Sequence, residues 1–279
     1  MNALFSKKVV AAVISATALF AGATAQAATE YPDFQVKKPG PFSNGTFTAD
    51  RIVGDYIEIA SFNQQTGTFQ VSLQWTATGF TANSESANKT TLQANKTGLG
   101  VDYGLYALYT ASGTFSQGAN GIEFFFTPNS GDLKVYMDNG VDSTFGEPAT
   151  GATEFTVNAG TPDTLLAEGD PLFGYGLLQP NAPSCGAGGG INCGSFGSTT
   201  SFNLTPAGEN FFFDPSPFYN LSFQSGNLNN FDPIGRQRIT GLLNVSFERA
   251  ADVPEPASLG LLGLGLLGLG AVRRRKQAK

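Results

Sequence analysis

The chain has 279 residues, 22 acidic against 16 basic, and no histidine. The lack of histidine excludes Ser-His-Asp and Cys-His nucleophilic centres and every His-based metal site; neither Gly-x-Ser-x-Gly nor a phosphate-binding loop is present. The acid excess argues against nucleic acid or an anionic lipid surface as a partner.

Lys7 and Lys8 precede an apolar run from Val9 to Ala23, and Ala25-Gln26-Ala27 supplies a small-x-small cleavage pattern. This predicts a signal peptide over residues 1–27, cut after Ala27, and export of the chain from Ala28 onward.

Glycine (35) and phenylalanine (24) are abundant in the chain, and helical periodicity is nearly absent, which favours strands joined by turns. Residues 56–62 read as one strand and Gln65-Thr66-Gly67 as a hairpin turn leading into the next. In residues 68–79, Phe69, Val71, Leu73, Trp75 and Ala77 alternate with Gln70, Ser72, Gln74, Thr76 and Thr78. Period two means one buried face and one wet face. Further strands are predicted over 103–110, 122–127, 133–137, 154–157, 164–167, 196–204, 211–213, 219–224 and 237–247. In the last, Ile239 to Phe247 alternate apolar and polar, with Leu242 an exception on the polar face. The fold expected for residues 28–252 is all-β: a single antiparallel β-sandwich, jelly-roll-like, of ten or more strands. A signal peptide and a C-terminal membrane sorting helix flank it.

Cys185 and Cys193 bracket a glycine-rich loop. In an exported protein so close a pair reads as a disulfide stapling a surface loop.

Residues 253–279 have three parts. Val253-Pro254-Glu255-Pro256 holds the backbone extended and denies it helix, leaving Glu255 where an enzyme can grip it. Residues 257–272 are apolar and uncharged, yet as a helix they span only about 24 Å against a hydrocarbon core of ~30 Å. Arg273, Arg274, Arg275 and Lys276 resist translocation and stay on the cytoplasmic side. A short recognition site, a brief membrane stop and a basic brake suit a temporary stay in a membrane. With both ends removed, residues 28–254 hold 21 acids and nine bases, a net charge of −12.

This ordered tail resembles that of the PEP-CTERM proteins. The resemblance implies recognition and removal of the tail by exosortase, an integral-membrane enzyme of bacteria that make exopolysaccharide. It implies transient insertion in the inner membrane of a Gram-negative bacterium, then release to the cell surface or extracellular matrix. The body is similar to the flocculation-associated branch of that family at residues 47–58, at 103–109 and at 217–226 with Asn229-Asn230-Phe231 shortly after. That likeness implies a role in aggregating cells within the exopolysaccharide matrix and assigns no catalytic residues.

Candidate chemistry within the body is thin. Asp55 and Glu58 are the nearest carboxylate pair in a strand-like region, but a spacing of three puts them on opposite faces. Asp138 and Asp142, in Asp-Asn-Gly-Val-Asp, could contribute oxygen ligands to calcium; the ordinary alternative is a turn, since Asn139-Gly140 favours one and the segment has no closing Glu. Trp75 sits on an apolar stripe and reads as core rather than as a sugar-stacking platform. No catalytic residue and no cofactor is assigned. The expected function is that of an exported, non-enzymatic surface protein acting by contacts with exopolysaccharide or with copies of itself. The alternative is a carbohydrate-binding module with a defined glycan pocket.

Overall fold

The computed structural model describes residues 31–39, 45–83, 88–183, 185, 193–225 and 231–248. They form, in order, β1 (Phe34–Lys37), β2 (Thr46–Ala49), β3 (Arg51–Asn63), β4 (Thr68–Ala82), β5 (Thr90–Leu92) and the one-turn helix α1 (Ala94–Thr97). Next come β6 (Gly104–Gly118), β7 (Gly121–Phe126), β8 (Leu133–Asp138), β9 (Thr144–Gly146), β10 (Thr156–Asn158), β11 (Thr164–Gly169), β12 (Pro171–Leu178) and β13 (Gly194–Thr200). The last are β14 (Asn203–Leu204), α2 (Pro206–Phe211), β15 (Phe212–Asp214), β16 (Asn220–Ser225) and β17 (Gly235–Glu248).

Eight of these strands close into an antiparallel ring, in the order β3-β4-β6-β7-β12-β13-β16-β17, with β17 returning to β3 along residues 235–246. The ring corrects the jelly-roll sandwich expectation. Alternation along a strand is the same in a sandwich and in a barrel; what decides is whether the sheet's edges find each other. Here β6 does the joining. One of its edges pairs with β4 over residues 106–114. Its other edge is divided, residues 113–118 pairing with β7 and residues 104–109 with β8. The β8 branch continues through β11 to β14 and widens one end of the barrel.

The composition explains the interior. An eight-stranded barrel is only wide enough to be filled by side chains or to hold one small ligand. This one alternates large rings with glycines on neighbouring strands. A Cβ at Gly54 would lie 2.6 Å from Trp75 Cε2, one at Gly113 2.7 Å from the Phe69 ring, and one at Gly174 2.6 Å from the Phe126 ring. Each glycine is the space an aromatic ring occupies, and a bulge at Val53/Gly54 bends β3 at that point.

Phenylalanines seal both ends. At the end carrying the long connections, the small sheet β15-β1-β2 brings Phe34 and Phe212 onto Phe218 and Phe247, with Phe34 and Phe247 centroids 4.8 Å apart. At the hairpin end Phe231, from the β16–β17 connection, stacks on Phe62 at 5.7 Å beside Phe124. β17 finishes at the first of these ends, with Phe247 part of the cap one residue before the strand's last, Glu248.

A two-stranded flap, β9–β10, covers the outer wall of β3, β4, β6 and β8. Phe155 closes a second core on Ile59, Tyr106 and Leu108, with Phe145 and Tyr136 packed against it. Gly151 N donates to Ser61 Oγ at 2.9 Å, Arg238 Nε to Glu147 at 2.7 Å and Lys134 Nζ to Glu154 at 2.9 Å, pinning the flap at three places. This changes one expectation for residues 68–79. Ser72 and Gln74, on the face predicted to be wet, are buried beside this second core.

Most predicted strands are present, often longer, with 68–79 extending through Ala82. The stretch 196–204 divides into β13 and β14, and 154–157 is shifted to β10. β12 was not predicted, because its inward positions include Gly174 and Gly176 rather than apolar side chains.

Candidate functional site

The predicted sorting residues Val253, Pro254, Glu255 and Pro256, the basic stop Arg273–Lys276, and the cleavage residues Ala25 and Ala27 lie outside the described residues. The described body contains the other predicted positions.

Cys185 and Cys193 are joined as predicted, with Cα atoms 4.3 Å apart. The bridge closes the base of the β12–β13 loop, where Gln179 N donates to Cys193 O at 2.6 Å. Closing so short a loop stabilises by about 2.5 kcal/mol on the chain-entropy argument.

Asp138 and Asp142 act as turn organisers. The Asp138 carboxylate accepts from the amides of Gly140, Asp142 and Ser143 at 3.0–3.2 Å. Asp142 accepts from Gly160 N, Thr161 N and Thr161 Oγ1, and the Thr161 amide above all holds its carboxyl below the usual range. The two carboxylates therefore tie two loops together, the hydrogen-bonding role that a turn gives them. Among the described residues no group of three or more acidic or sulfur side chains is gathered as a metal site would need.

Trp75 is core, its Nε1 donating to Leu243 O at 3.1 Å past Gly54 of the intervening β3. Asp55 faces solvent and Glu58 faces the interior, so they form no catalytic couple.

Glu58 itself is the electrostatic feature that sequence reasoning missed. Its inward register with Tyr56 and Ala60 puts a carboxyl inside the barrel with only 8% of the residue exposed. It borders an interior cavity of about 30 Å³, lined also by Phe62, Phe69, Phe124, Phe196 and Phe231. Burial pushes its carboxyl up to about 7. Tyr56 and Tyr109 face it, and burial raises both phenols, with Glu58 adding to the rise. The Tyr109 hydroxyl and Ser198 Oγ are 2.9 Å apart. Strand alternation alone could have flagged Glu58, since it occupies an inward slot between Tyr56 and Ala60.

A second feature is on the outer wall. Phe125 and Tyr175 are paired across β7 and β12, their centroids 5.4 Å apart, and Phe173 lies further along the same face of β12, 63% exposed. The Tyr175 hydroxyl donates to Glu123 Oε1 at 3.2 Å. No other wall of the barrel, among the described residues, gathers exposed aromatic rings.

Residues 252–276 match the PEP-CTERM protein-sorting motif. The motif implies processing by exosortase, with export, a transient C-terminal membrane anchor and release to the cell surface. No curated protein and no solved structure matches the chain.

Proposed function

Because the chain carries a PEP-CTERM sorting motif at residues 252–276, we propose that it is a non-enzymatic surface protein of a Gram-negative bacterium that promotes aggregation of cells within exopolysaccharide. The matched motif carries this reading, since it supplies the export route and the place of release. The acidic body supports it further: −12 over residues 28–254 keeps the molecule soluble outside the cell and off anionic surfaces. The likeness of residues 47–58, 103–109 and 217–226 to flocculation-associated proteins supports aggregation as the outcome. Deleting the gene should leave cells dispersed while polysaccharide is still made. Unchanged aggregation in the mutant would refute the role. Protein recovered from outside the cells should lack Lys279, and an intact C-terminus by mass spectrometry would refute the processing.

A second reading, that of a carbohydrate-binding module, is favoured by one observation: the exposed rings of Phe125 and Phe173 with the half-buried ring of Tyr175 on a continuous sheet face.

A further inference from the structure

The register of the barrel wall sets one row of side chains across six neighbouring strands. Thr114 on β6 is paired with Phe125 on β7, Phe125 with Tyr175 on β12, and Tyr175 with Gly197 on β13. Gly197 is paired with Gln224 on β16, and Gln224 with Asn244 on β17. Strands about 4.8 Å apart make this a band of hydroxyl, two rings, a gap and two amides, running across the strands. The gap is physical. A Cβ at Gly197 would meet only Phe223 O at 3.4 Å and Gln224 Cγ at 3.9 Å, so the space above Gly197 is open. The Gln224 amide beside it already accepts from the Tyr31 hydroxyl at 3.1 Å and has one further lone pair on Oε1 for a ligand hydroxyl. A bulge between Pro171 and Phe173 leaves Leu172 and Phe173 both exposed beside the rings.

The geometry points to this row as the binding face for an uncharged glycan chain, lying across the strands with sugar faces on Phe125, Tyr175 and Phe173 and hydroxyls on Gln224, Asn244 and Glu123. The proposal rests on the carbohydrate-binding reading and places its site. Rings take the C–H faces of pyranose sugars, while amides and a carboxylate take their hydroxyls.

Two further facts select this occupant. β6, β7, β12, β13 and β16 contain no basic residue, and Glu123 is their one charged side chain. The two arginines of β17, Arg236 and Arg238, are both held by Glu147, so the face offers little to a polyanion. The exposed apolar area is also small. With 43% of Phe125, 63% of Phe173 and 40% of Leu172 exposed, it amounts to roughly 300 Å² at ~200 Å² per side chain. A stable dimer buries about 800 Å² on each partner, so a second copy needs far more surface than this patch provides.

The test uses the full chain purified in mild detergent, with retention measured by affinity electrophoresis in hydroxyethyl cellulose and in alginate. Wild type should be retarded by the neutral glucan and not by the anionic polymer. Phe173→Ala and Tyr175→Ala should each weaken that retention about tenfold, Tyr175→Phe should keep most of it, and Val101→Ala, at an exposed position in the loop before β6, should leave it unchanged. Thermal melts of the same variants report folding separately. A wild type retarded by no glycan overturns the carbohydrate reading and this site with it. A wild type that binds while Phe173→Ala and Tyr175→Ala bind equally well overturns the site and leaves the reading standing. A fall in sedimenting mass on Phe173→Ala assigns the face to self-association and likewise overturns the proposal.

Discussion

Replacing Glu58 by Gln tests the interior most directly. In the folded barrel burial holds the carboxyl at about 7, against an ordinary 4.5 in an open chain. Below pH 4.5 both states carry the proton and the group costs nothing. Above it the unfolded chain releases its proton first, so stability falls as pH rises, until the folded group also ionises near pH 7. Each pH unit in that window costs about 1.4 kcal/mol, so the accumulated loss above pH 7 is about 3 kcal/mol. Glu58→Gln removes the titration and retains an amide able to hydrogen bond. The variant should match wild type near pH 4 and exceed it by up to about 3 kcal/mol at pH 8. For a domain of this size that amounts to a rise in Tm of roughly 6–12 °C. Urea denaturation of both proteins between pH 4 and 8, monitored by Trp75 fluorescence, measures it. Parallel curves for the two proteins across that range would refute the buried, neutral carboxyl.

Packing and the disulfide staple give two other expected outcomes. Gly113→Ala drives a Cβ against the Phe69 ring and the Phe125 carbonyl, and overpacking of this kind lowers stability by about 1–3 kcal/mol; a calorimetric melt unchanged from wild type would show the ring and the glycine are not complementary. Replacing Cys185 and Cys193 together by Ser should cost about 2.5 kcal/mol and expose the β12–β13 loop to protease, read by limited proteolysis. Protease resistance equal to wild type would mean that the loop is held by other contacts.

Much of the β content was legible because period two survives any tertiary arrangement. Phe69 to Ala77 and Ile239 to Phe247 alternate as the barrel requires, and the turn before Thr68 forms with Asn63 Oδ1 accepting from Gln65 N at 3.0 Å. Three things were not legible. β12 was hidden because its inward slots at 174 and 176 are glycine, their volume belonging to Phe126 and Phe124 on the next strand. Ser72 and Gln74 carry polar side chains yet are buried, because a flap from some 80 residues later in the chain covers them. The aromatic row needed the register of six strands before Phe125, Tyr175 and Gln224 could be seen as neighbours.

What residues near one another in the chain decide on their own is local: strand alternation, the Asn139-Gly140 turn, the short span between Cys185 and Cys193, and the contiguous tail that matches a sorting motif. Closure of the sheet was decided elsewhere. It depends on β6 dividing one edge between β7 and β8, and on β17 meeting β3 across nearly the whole described length. The same distant pairings put a carboxyl inside at Glu58 and three rings outside. Alternation sets which residues share a face, but only pairing between distant strands sets which face is enclosed.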